Sequence, residues 1–354
     1  MRASQRTLVL LAHFGENQAM SSLVHVAIHS SQFPEKVRQD LLDSLRARAV
    51  NHKFHYDSIK QTQKWLALHQ AHSPSRNDAD CAAIYDRAFE AATACIESNA
   101  VHLIGLGCGG GQKDTRLLRL LKERGKEIFY TPCDVSTAMV LTARGTSLAV
   151  VNEECCFPTV CDLAGADDLP SIFHPRTTPC RAEAQRRREH APRLTTFFGM
   201  IPNFEPDLIL PKLASLVEAN DWLLFSANLA PGSDYQAGAR RVLPQYDNLL
   251  TRDWLLAFLF DLGVEAGDGE LRFTIEEVNG LKRIVARFHF GRGRTVAVDA
   301  ESFEFRAGDS IRLFFSYRYT PELARAFLAR HGLKVLDQWI TKSEEEGVFL
   351  CRRA

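Results

Sequence analysis

The spacing of hydrophobic residues divides the chain into three regions. Residues 15–95 follow helical spacing, with Ile84, Ala88 and Phe89 among the apolar positions that share one helix face. Between residues 101 and 230, short apolar runs of the kind found in buried strands alternate with helical segments. This alternation is typical of βαβ units, so we predict a parallel sheet in the second region.

The third region, after Ala230, combines helical segments with alternating runs joined by turn signals. Asn279-Gly280 stands between two such runs, and this dipeptide favours a type I′ hairpin because both residues tolerate positive φ. We therefore expect an antiparallel meander there. A final helix, capped by Thr320 and ending at Gly332, precedes two strands that we expect to return to the first sheet as a hairpin.

The predicted elements have the following bounds. Strands are placed at 101–106, 128–133, 157–161, 194–198, 222–227, 271–278, 281–290, 294–298, 310–319, 333–340 and 348–352. Helices of the later regions are placed at 206–217, 233–241 and 251–262. Predicted helix N-caps are Ser136, Thr251 and one of Ser75, Asn77 or Asp78.

Composition limits the class of protein. The chain has 354 residues, with 43 lysine and arginine residues against 43 aspartate and glutamate residues, and 45% hydrophobic residues. These values fit one large or two mid-sized globular units, and the zero net charge argues against a nucleic-acid partner. No apolar run reaches the length of about 20 residues that a membrane span needs, and the apolar core of Thr7–Phe14 is too short for an export signal. We expect a cytoplasmic protein without nucleic-acid or membrane partners.

The cysteines and one basic run favour structural roles. None of the 9 cysteines forms a CxxC pair, so we predict buried reduced thiols and no metal site. The segment between 165 and 193 is rich in proline, threonine and arginine and contains Arg186, Arg187 and Arg188. No aromatic residues interleave with these charges, and we therefore predict an exposed insertion.

A cluster of glycines follows the first buried strand and opens the next helix. Gly105, Gly107 and Gly109 have no side chains, which lets main-chain N–H groups and a helix N-terminus approach a ligand. Asp134 ends the following strand, where a carboxylate accepts hydrogen bonds from the ribose of an adenosine cofactor. The structural alternative is a tight turn with Asp134 capping the next helix. Adenosine binding is favoured, either of a nicotinamide dinucleotide or of S-adenosylmethionine (SAM).

Two further features bear on which cofactor binds. Lys113 at the mouth of the loop suits the carboxylate of the SAM amino-acid tail and equally the diphosphate of a dinucleotide. The antiparallel terminal hairpin after a parallel sheet is, by contrast, a methyltransferase trait. The whole pattern therefore favours SAM.

Five segments carry a more specific pattern. They read LIGLGCGGGQKDTRLL (103–118), YTPCDVSTAM (130–139), RLTTFFGMIPNFEP (193–206), QYDN (245–248) and SYRYTPELARAFLARHGL (316–333). This set resembles the histidine-specific SAM-dependent methyltransferase family. The resemblance implies an α/β fold, in which a Rossmann-like SAM-dependent methyltransferase sheet is joined by a second α+β substrate domain, built from the N-terminal helices and an insertion after strand 5.

The resemblance also implies domain boundaries. The substrate-binding domain would comprise residues 1–72 and 232–316, and the SAM-binding domain residues 73–231 and 317–354. The change of pattern after Ala230 agrees with this division.

Site residues follow from the resemblance position by position. The implied cofactor-binding residues are Gly105, Gly107, Gly109, Lys113, Asp134, Asp162 and Leu163. Among them, Gly107 and Lys113 would contact the methionine part of SAM. Asp134 would hold the ribose, and Asp162 with Leu163 the adenine edge.

On the substrate side, the resemblance implies Asn203 and Tyr246 as catalytic and substrate-binding residues. Asn203 matches the family asparagine that holds the backbone of an amino-acid substrate, and Tyr246 a tyrosine that hydrogen-bonds the substrate carboxylate. Tyr56 matches a tyrosine of the N-terminal lid, and Ser316 a residue near the substrate imidazole. The structural alternatives are that Asn203 closes a turn, Tyr246 packs in the core and Ser316 is an ordinary strand residue.

The chain departs from the family pattern at several positions. Phe314, the last implied substrate-binding residue, stands where the family has a glutamate that holds the imidazole, and Ser73 replaces a lid tyrosine. Gly105 replaces the acid of the family sequence ELGSG, and GSTIGN is shortened to GMIPN. Loss of a buried carboxylate weakens the discrimination in favour of histidine by a few kcal/mol. We therefore expect an acceptor other than histidine and a more apolar pocket.

Together these observations predict a SAM-dependent methyltransferase of small molecules. The predicted acceptor is the amino group of an amino acid or of an amino-acid-derived metabolite. Two alternatives stay open: an NAD(P)-dependent oxidoreductase that uses the same loop, and a non-catalytic SAM-binding protein that has lost its substrate chemistry.

Overall fold

A computed structural model describes residues 23–173 and 188–354 of the chain. Thr7–Phe14, Cys180, Arg186 and Arg187 lie outside the described residues. The strands are β1 (Ala27–Ile28), β2 (Ala100–Leu106), β3 (Glu127–Asp134), β4 (Thr159–Val160), β5 (Arg193–Phe198), β6 (Trp222–Asn228), β7 (Gly269–Val278), β8 (Leu281–Phe290), β9 (Arg294–Val298), β10 (Glu301–Phe305), β11 (Ser310–Arg318), β12 (Leu333–Ile340) and β13 (Glu346–Arg353). The α-helices are α1 (Pro34–Arg46), α2 (Ile59–His72), α3 (Pro74–Asn77), α4 (Ala79–Ala94), α5 (Gln112–Glu123), α6 (Thr137–Ser147), α7 (Leu169–Phe173), α8 (Pro206–Ser215), α9 (Tyr235–Val242), α10 (Leu249–Asp261) and α11 (Pro321–Arg330).

Eight strands form one mixed sheet in the order β1–β4–β3–β2–β5–β6–β13–β12. The first six are parallel, and β13 runs antiparallel to both β6 and β12. Leu103 and Ile104 are adjacent in β2 and belong to separate hydrophobic cores, because successive side chains point to opposite faces of the sheet. The predicted α/β class, the parallel sheet and the returning terminal hairpin are confirmed.

Strand β4 is shorter than the predicted strand 157–161. Only Thr159 and Val160 pair in register with β3, opposite Cys133 and Asp134. The preceding residue, Pro158, has no N–H group to contribute to a ladder, and regular pairing begins after it. The edge of the sheet is completed by β1, which the sequence did not reveal.

The region after Ala230 is antiparallel, as predicted. Strands β7, β8 and β11 form a three-stranded sheet, and Asn279 and Gly280 in the first turn have φ angles of 52° and 76°. Strand β10 was not predicted and pairs with β9 across a tight turn in which Asp299 has a φ of 52°. The turn Asp299-Ala300 has no glycine, so the usual hairpin signal is absent there.

The N-terminal helices and the segment 249–313 share one hydrophobic core. The rings of Phe54 and Phe258 lie 5.7 Å apart, and the Val50 N–H donates to the Arg312 carbonyl at 2.8 Å. The two parts of the chain therefore pack around one core, and the assignment of this core to a substrate-binding domain stays a prediction. The exact division between the two domains stays a prediction.

Helix caps follow the predictions with one exception. Asp78, Ser136 and Thr320 each accept a hydrogen bond from an N–H group of the helix that they precede. The prediction of Thr251 as a cap was wrong. Helix α10 begins two residues earlier, and its cap is Asn248, whose side chain accepts from the Thr251 N–H.

Two expectations from composition concern the burial of the cysteines and the absence of a membrane span. Among the cysteines of the described residues, Cys95 is exposed, Cys108 is partly exposed, and the others are buried. Among the helices of the same ranges, none combines the length and apolar character needed to cross a bilayer.

We predict that Phe349→Ala lowers the free energy of unfolding by about 3–5 kcal/mol. Phe349 of β13 is fully buried and stacks on Phe225 of β6 with ring centroids 5.0 Å apart, so truncation leaves a cavity where the hairpin joins the parallel strands. Urea unfolding followed by circular dichroism measures the loss. Leu336→Ala, at a β12 position that is 46% exposed, is the control and should change stability by about 0.5 kcal/mol or less. Equal losses in the two variants would contradict the prediction.

Candidate active site

A cavity of about 340 Å³ opens at the carboxyl edge of the main sheet. Parallel sheets bind ligands at this edge because the loops that follow neighbouring strands converge there. The loops after β2, β3, β4 and β5 all contribute, together with side chains from α2 and the segment before it. Eight of the residues predicted for the site line this cavity: Tyr56, Gly107, Gly109, Lys113, Asp134, Asp162, Leu163 and Asn203.

The loop after β2 presents its main chain to the cavity. Gly107 and Gly109 have φ angles of 61° and 52°, a region that favours glycine. A Cβ on Gly107 would come within 2.6 Å of the Met200 side chain, which would have to move, and the positive φ would strain any other residue here. Helix α5 begins directly after this loop without a side-chain cap. Its first N–H groups are therefore available to a ligand.

Asp134 ends β3 and faces the glycine loop. Its carboxylate accepts hydrogen bonds from the N–H groups of Gly109 and Ser136, each at 3.0 Å. Burial raises the pKa of Asp134 to about 6, although these hydrogen bonds act in the opposite direction. The two carboxylate oxygens have further acceptor capacity, so the side chain can hold the loop and also accept from ligand hydroxyl groups. The helix itself is capped by Ser136 and not by Asp134.

Gly105 lies behind the loop and does not line the cavity. A Cβ at this position would collide with the carboxylate of Asp114 on α5. Asp114 is buried at the cavity wall and accepts hydrogen bonds from the Tyr130 hydroxyl and Thr196 Oγ1, each at 2.9 Å. The chain therefore brings a carboxylate from the helix to the place where the family signature has the acid that Gly105 replaces. Sequence reasoning missed Asp114, and the missing acid at 105 was the only signal for it.

Lys113 reaches the cavity from the first turn of α5. Its ammonium donates to the Tyr85 hydroxyl at 2.9 Å and lies 4.3 Å from the centre of that ring. Tyr85 in turn donates to Glu346, which also lines the cavity. Burial lowers the pKa of Lys113, and no carboxylate of the described ranges lies within ion-pair distance of it. An anionic ligand group, such as the carboxylate of an amino-acid tail, would restore the balance of charge.

Asp162 and Leu163 follow directly after β4. One carboxylate oxygen of Asp162 accepts from the Ala164 N–H at 2.9 Å, and the other lies 3.6 Å from the Lys53 ammonium. Leu163 is 4% exposed and contributes apolar surface to the same wall. An acceptor beside an apolar side chain suits the amino edge and the face of a purine.

Tyr246, Phe314 and Ser316 form a separate group, the Tyr246 cluster, which does not line the cavity. The Tyr246 hydroxyl and Ser316 Oγ are 2.9 Å apart, and the rings of Tyr246 and Phe314 are 6.2 Å apart. Aromatic contacts continue from Phe314 to Trp254 at 5.8 Å and from Trp254 to Tyr56 at 5.5 Å, and Tyr56 lines the cavity. The Tyr246 cluster is thus linked to the cavity by a continuous row of aromatic rings.

Asn203 provides a second link between the cavity and the Tyr246 cluster. Its Nδ2 donates to the Phe315 carbonyl at 2.9 Å, next to Ser316 on β11. This bond fixes the orientation of the amide, because a carbonyl oxygen accepts only from the NH₂ end. The Oδ1 acceptor of Asn203 is therefore left for another donor.

Several other cavity residues had no signal in the sequence. Trp65 and His69 of α2 stack with ring centroids 4.8 Å apart, and burial lowers the pKa of His69 to about 3. The imidazole of His69 is therefore neutral at physiological pH. Met200 lies against the glycine loop. These side chains come from elements that are far apart in the chain, so local spacing does not mark them.

The glycine loop, the carboxylate at the end of the next strand and the antiparallel hairpin at the end of the sheet define a SAM-dependent methyltransferase. A family model described as "Histidine-specific methyltransferase, SAM-dependent" matches residues 37–353. The chain belongs to this family, and its cofactor is SAM. Family membership thus decides against the nicotinamide dinucleotide that the glycine loop alone also fits.

Solved structures that match the chain share little sequence with it. A SAM-dependent methyltransferase from Clostridium acetobutylicum is 12% identical with a TM-score of 0.44, and the match covers 82% of this chain and 98% of that one. The CcbJ methyltransferase from Streptomyces caelestis is 13% identical with a TM-score of 0.38, and the match covers 76% of this chain and 95% of that one. No match to the chain was found among curated protein sequences.

We predict that affinity for S-adenosylhomocysteine increases as the pH rises through about 6, the pKa of Asp134. An ionised carboxylate accepts stronger hydrogen bonds from hydroxyl groups than the protonated form does. Asp134→Asn should lose this pH dependence and weaken binding by about 10- to 100-fold at neutral pH, as expected for a hydrogen bond to a charged group. Isothermal titration calorimetry at several pH values measures both effects.

Asp114→Asn is the matched comparison, because burial also raises the pKa of Asp114 to about 6. A pH dependence that persists in D134N and disappears in D114N would assign the titration to Asp114 and contradict the prediction.

The free energy of unfolding should fall with rising pH, whereas the affinity for S-adenosylhomocysteine rises. A carboxyl group whose pKa is raised in the folded state stabilises the fold when protonated, and this contribution is lost as the pH rises through about 6.

Proposed function

We propose that the protein is an N-methyltransferase of the amino group of an amino acid or of an amino-acid-derived small molecule. The observation that carries this proposal is the fixed amide of Asn203 at the wall of the cofactor cavity. Because Nδ2 is held by the Phe315 carbonyl, the group available to a ligand is the Oδ1 acceptor. An acceptor suits the N–H of an amine and orients its remaining lone pair.

The cofactor side of the proposal assigns the residues that line the cavity. Gly107, Gly109 and Lys113 would hold the methionine part of SAM, and Asp134 its ribose. Burial of the Lys113 ammonium, which reaches Glu346 only through the Tyr85 hydroxyl, and the side-chain-free loop support these roles. Asp162 with Leu163 would hold the adenine edge, whereas Gly105 would act indirectly by making room for a neighbouring carboxylate.

The substrate side of the proposal rests on Tyr56, Asn203 and the Tyr246 cluster. Asn203 and Tyr246 would hold the two polar ends of the acceptor, with Tyr56 covering it. Phe314 stands where the family pattern has a carboxylate, and its ring lies beside the rings of Tyr246 and Trp254. An apolar side chain fits beside these rings better than an imidazole that needs a charged partner. Histidine is therefore not the acceptor that we propose.

The residues of the chain have two tasks in this reaction. When bound, SAM supplies a methyl group that is already activated by its sulfonium. The protein orients the amine, and proximity and orientation provide several kcal/mol of the barrier. The protein also removes water from the amine, which lowers the pKa of an ammonium group and favours the neutral nucleophile. No strong base is needed beside Asn203.

We predict methyl transfer from labelled SAM to nitrogen of at least one member of a panel of amino acids and amines, measured by scintillation counting and mass spectrometry. Asn203→Ala should lower kcat/KM by about 10- to 100-fold, because the amine loses an orienting hydrogen bond. The control is Asn77→Ala, which removes an exposed amide that also donates to a main-chain carbonyl, that of Ala71 at 2.9 Å. Transfer only to oxygen or sulfur acceptors, or no transfer at all, would refute the proposed function.

We predict that Phe314→Glu shifts specificity toward histidine. A carboxylate at this position restores the charged hydrogen-bond acceptor of the family pattern, so the ratio of kcat/KM for histidine to that for leucine should rise by about 10-fold or more. Phe314→Leu removes the ring without adding charge and should leave the ratio close to that of the wild type. Similar ratios in F314E and F314L would show that residue 314 does not select the acceptor.

A further inference from the structure

Arg318 is a buried charged residue next to the Tyr246 cluster that none of the roles above uses. It is the last residue of β11 and lies on the same face of the strand as Phe314 and Ser316, because alternate residues of a strand share a face. The side chain is only 5% exposed. Its guanidinium lies over the Tyr246 ring, 5.1 Å from the centre.

The hydrogen bonds of Arg318 do not use all of its donors. A guanidinium carries five N–H donors. One donates to the Tyr246 hydroxyl at 2.5 Å and one to the Leu229 carbonyl at 3.3 Å. The buried Nε has no hydrogen-bond partner in the described part of the chain. The Nε–H is therefore a buried donor whose hydrogen bond the described residues do not satisfy.

Arg318 also has no counter-ion. No carboxylate of residues 23–173 and 188–354 lies within ion-pair distance of it, whereas two other buried arginines have one. Arg283, which is 7% exposed, pairs with Glu205 and Glu276, and Arg144, also 7% exposed, pairs with Glu153. Burial of an unpaired cation is unfavourable, and an anion that binds beside it offsets part of the lost hydration.

The surroundings of Arg318 indicate where such an anion belongs. Arg318 donates to the oxygen of Tyr246, so the Tyr246 hydroxyl hydrogen is free to point to Ser316 or to a ligand. Arg318 also donates to the carbonyl of Leu229. The residue before Leu229 is Asn228, which lines the cavity. The unpaired charge therefore contacts the Tyr246 cluster on one side and, on the other, the residue that follows a wall residue of the cavity.

We propose that Arg318 and Tyr246 together bind a carboxylate of the acceptor substrate. This inference rests on the proposed function and makes the substrate class more specific: an amino acid with a free carboxylate and an apolar side chain. The amine would face Asn203, the carboxylate Arg318, and the side chain Phe314. A guanidinium suits this task because its planar donors match the two oxygens of a carboxylate.

The test compares carboxylates with neutral analogues of the same shape. The probes are L-phenylalanine with L-phenylalaninamide, L-leucine with L-leucinamide, and L-histidine with L-histidinamide. Each is titrated calorimetrically into the full-length protein saturated with S-adenosylhomocysteine. At least one acid should bind 10-fold or more tightly than its amide, and the difference should disappear in Arg318→Gln.

Two variants control for structural effects of the substitution. Arg318→Lys keeps the charge and should retain part of the preference for the acid. Arg312→Gln removes an arginine of the same strand that lies over the Phe315 ring, away from Tyr246, and should leave the preference unchanged. Thermal unfolding of each variant establishes that it is folded. If R318Q does not fold, a preference for the acid that is as large in R318K as in R312Q would overturn the role of Arg318. Equal binding of acid and amide in every pair, no binding in any pair, or a preference that survives in R318Q would overturn the proposal.

Methyl transfer separates this inference from the proposed function. Transfer to amines that lack a carboxylate, such as 2-phenylethylamine, at rates equal to those for amino acids would refute the role of Arg318 and leave the N-methyltransferase standing. Carboxylate binding that depends on Arg318, without transfer to any amine, would instead establish the anion site and refute the proposed reaction.

Discussion

The hydrogen bond from the Gly109 N–H to the Asp134 carboxylate joins the two features that cofactor binding requires. A loop without side chains lets the main chain approach a ligand, but it also has the largest conformational freedom. The carboxylate at the end of the neighbouring strand restrains that loop from the side of the sheet. Because the same carboxylate is buried, its charge is held by hydrogen bonds instead of a counter-ion, and its pKa is raised. The buried position of the Asp134 carboxylate beside the glycine loop thus has two effects: it restrains the loop and it raises the pKa of Asp134.

How much of the fold could be predicted depends on how strongly each strand is marked by its own residues. The run 101–106 is apolar throughout because both faces of the strand are covered, and such runs are readily recognised. Strand β4 and strand β1 pair over only two residues each, so their existence depends on the neighbours and not on a local pattern. Strand β10 has polar residues on one face and a preceding turn at Asp299 without glycine. These elements are decided by tertiary contacts that no short window of sequence contains.

The candidate site follows the same rule. Asp134 could be predicted because it ends a parallel strand, and such ends meet at one edge of the sheet. Asn203 was predicted through the resemblance to the family. Asp114 could not be predicted, since its position against Gly105 exists only after α5 packs on β2. Arg318 resembles any arginine near the end of a strand. Its burial without a counter-ion is created by Tyr246 and by the chain after β6, which are distant in sequence.

The core shared by the N-terminal helices and residues 249–313 has a consequence for folding in the cell. Helices α1 and α2 leave the ribosome long before α10 and β11, the elements that cover their apolar faces, have been synthesised. Contacts between such distant segments form slowly because a long loop has to close first. During that interval the exposed faces are open to chaperones or to aggregation. Translation therefore has to pass β11 before this shared core can assemble.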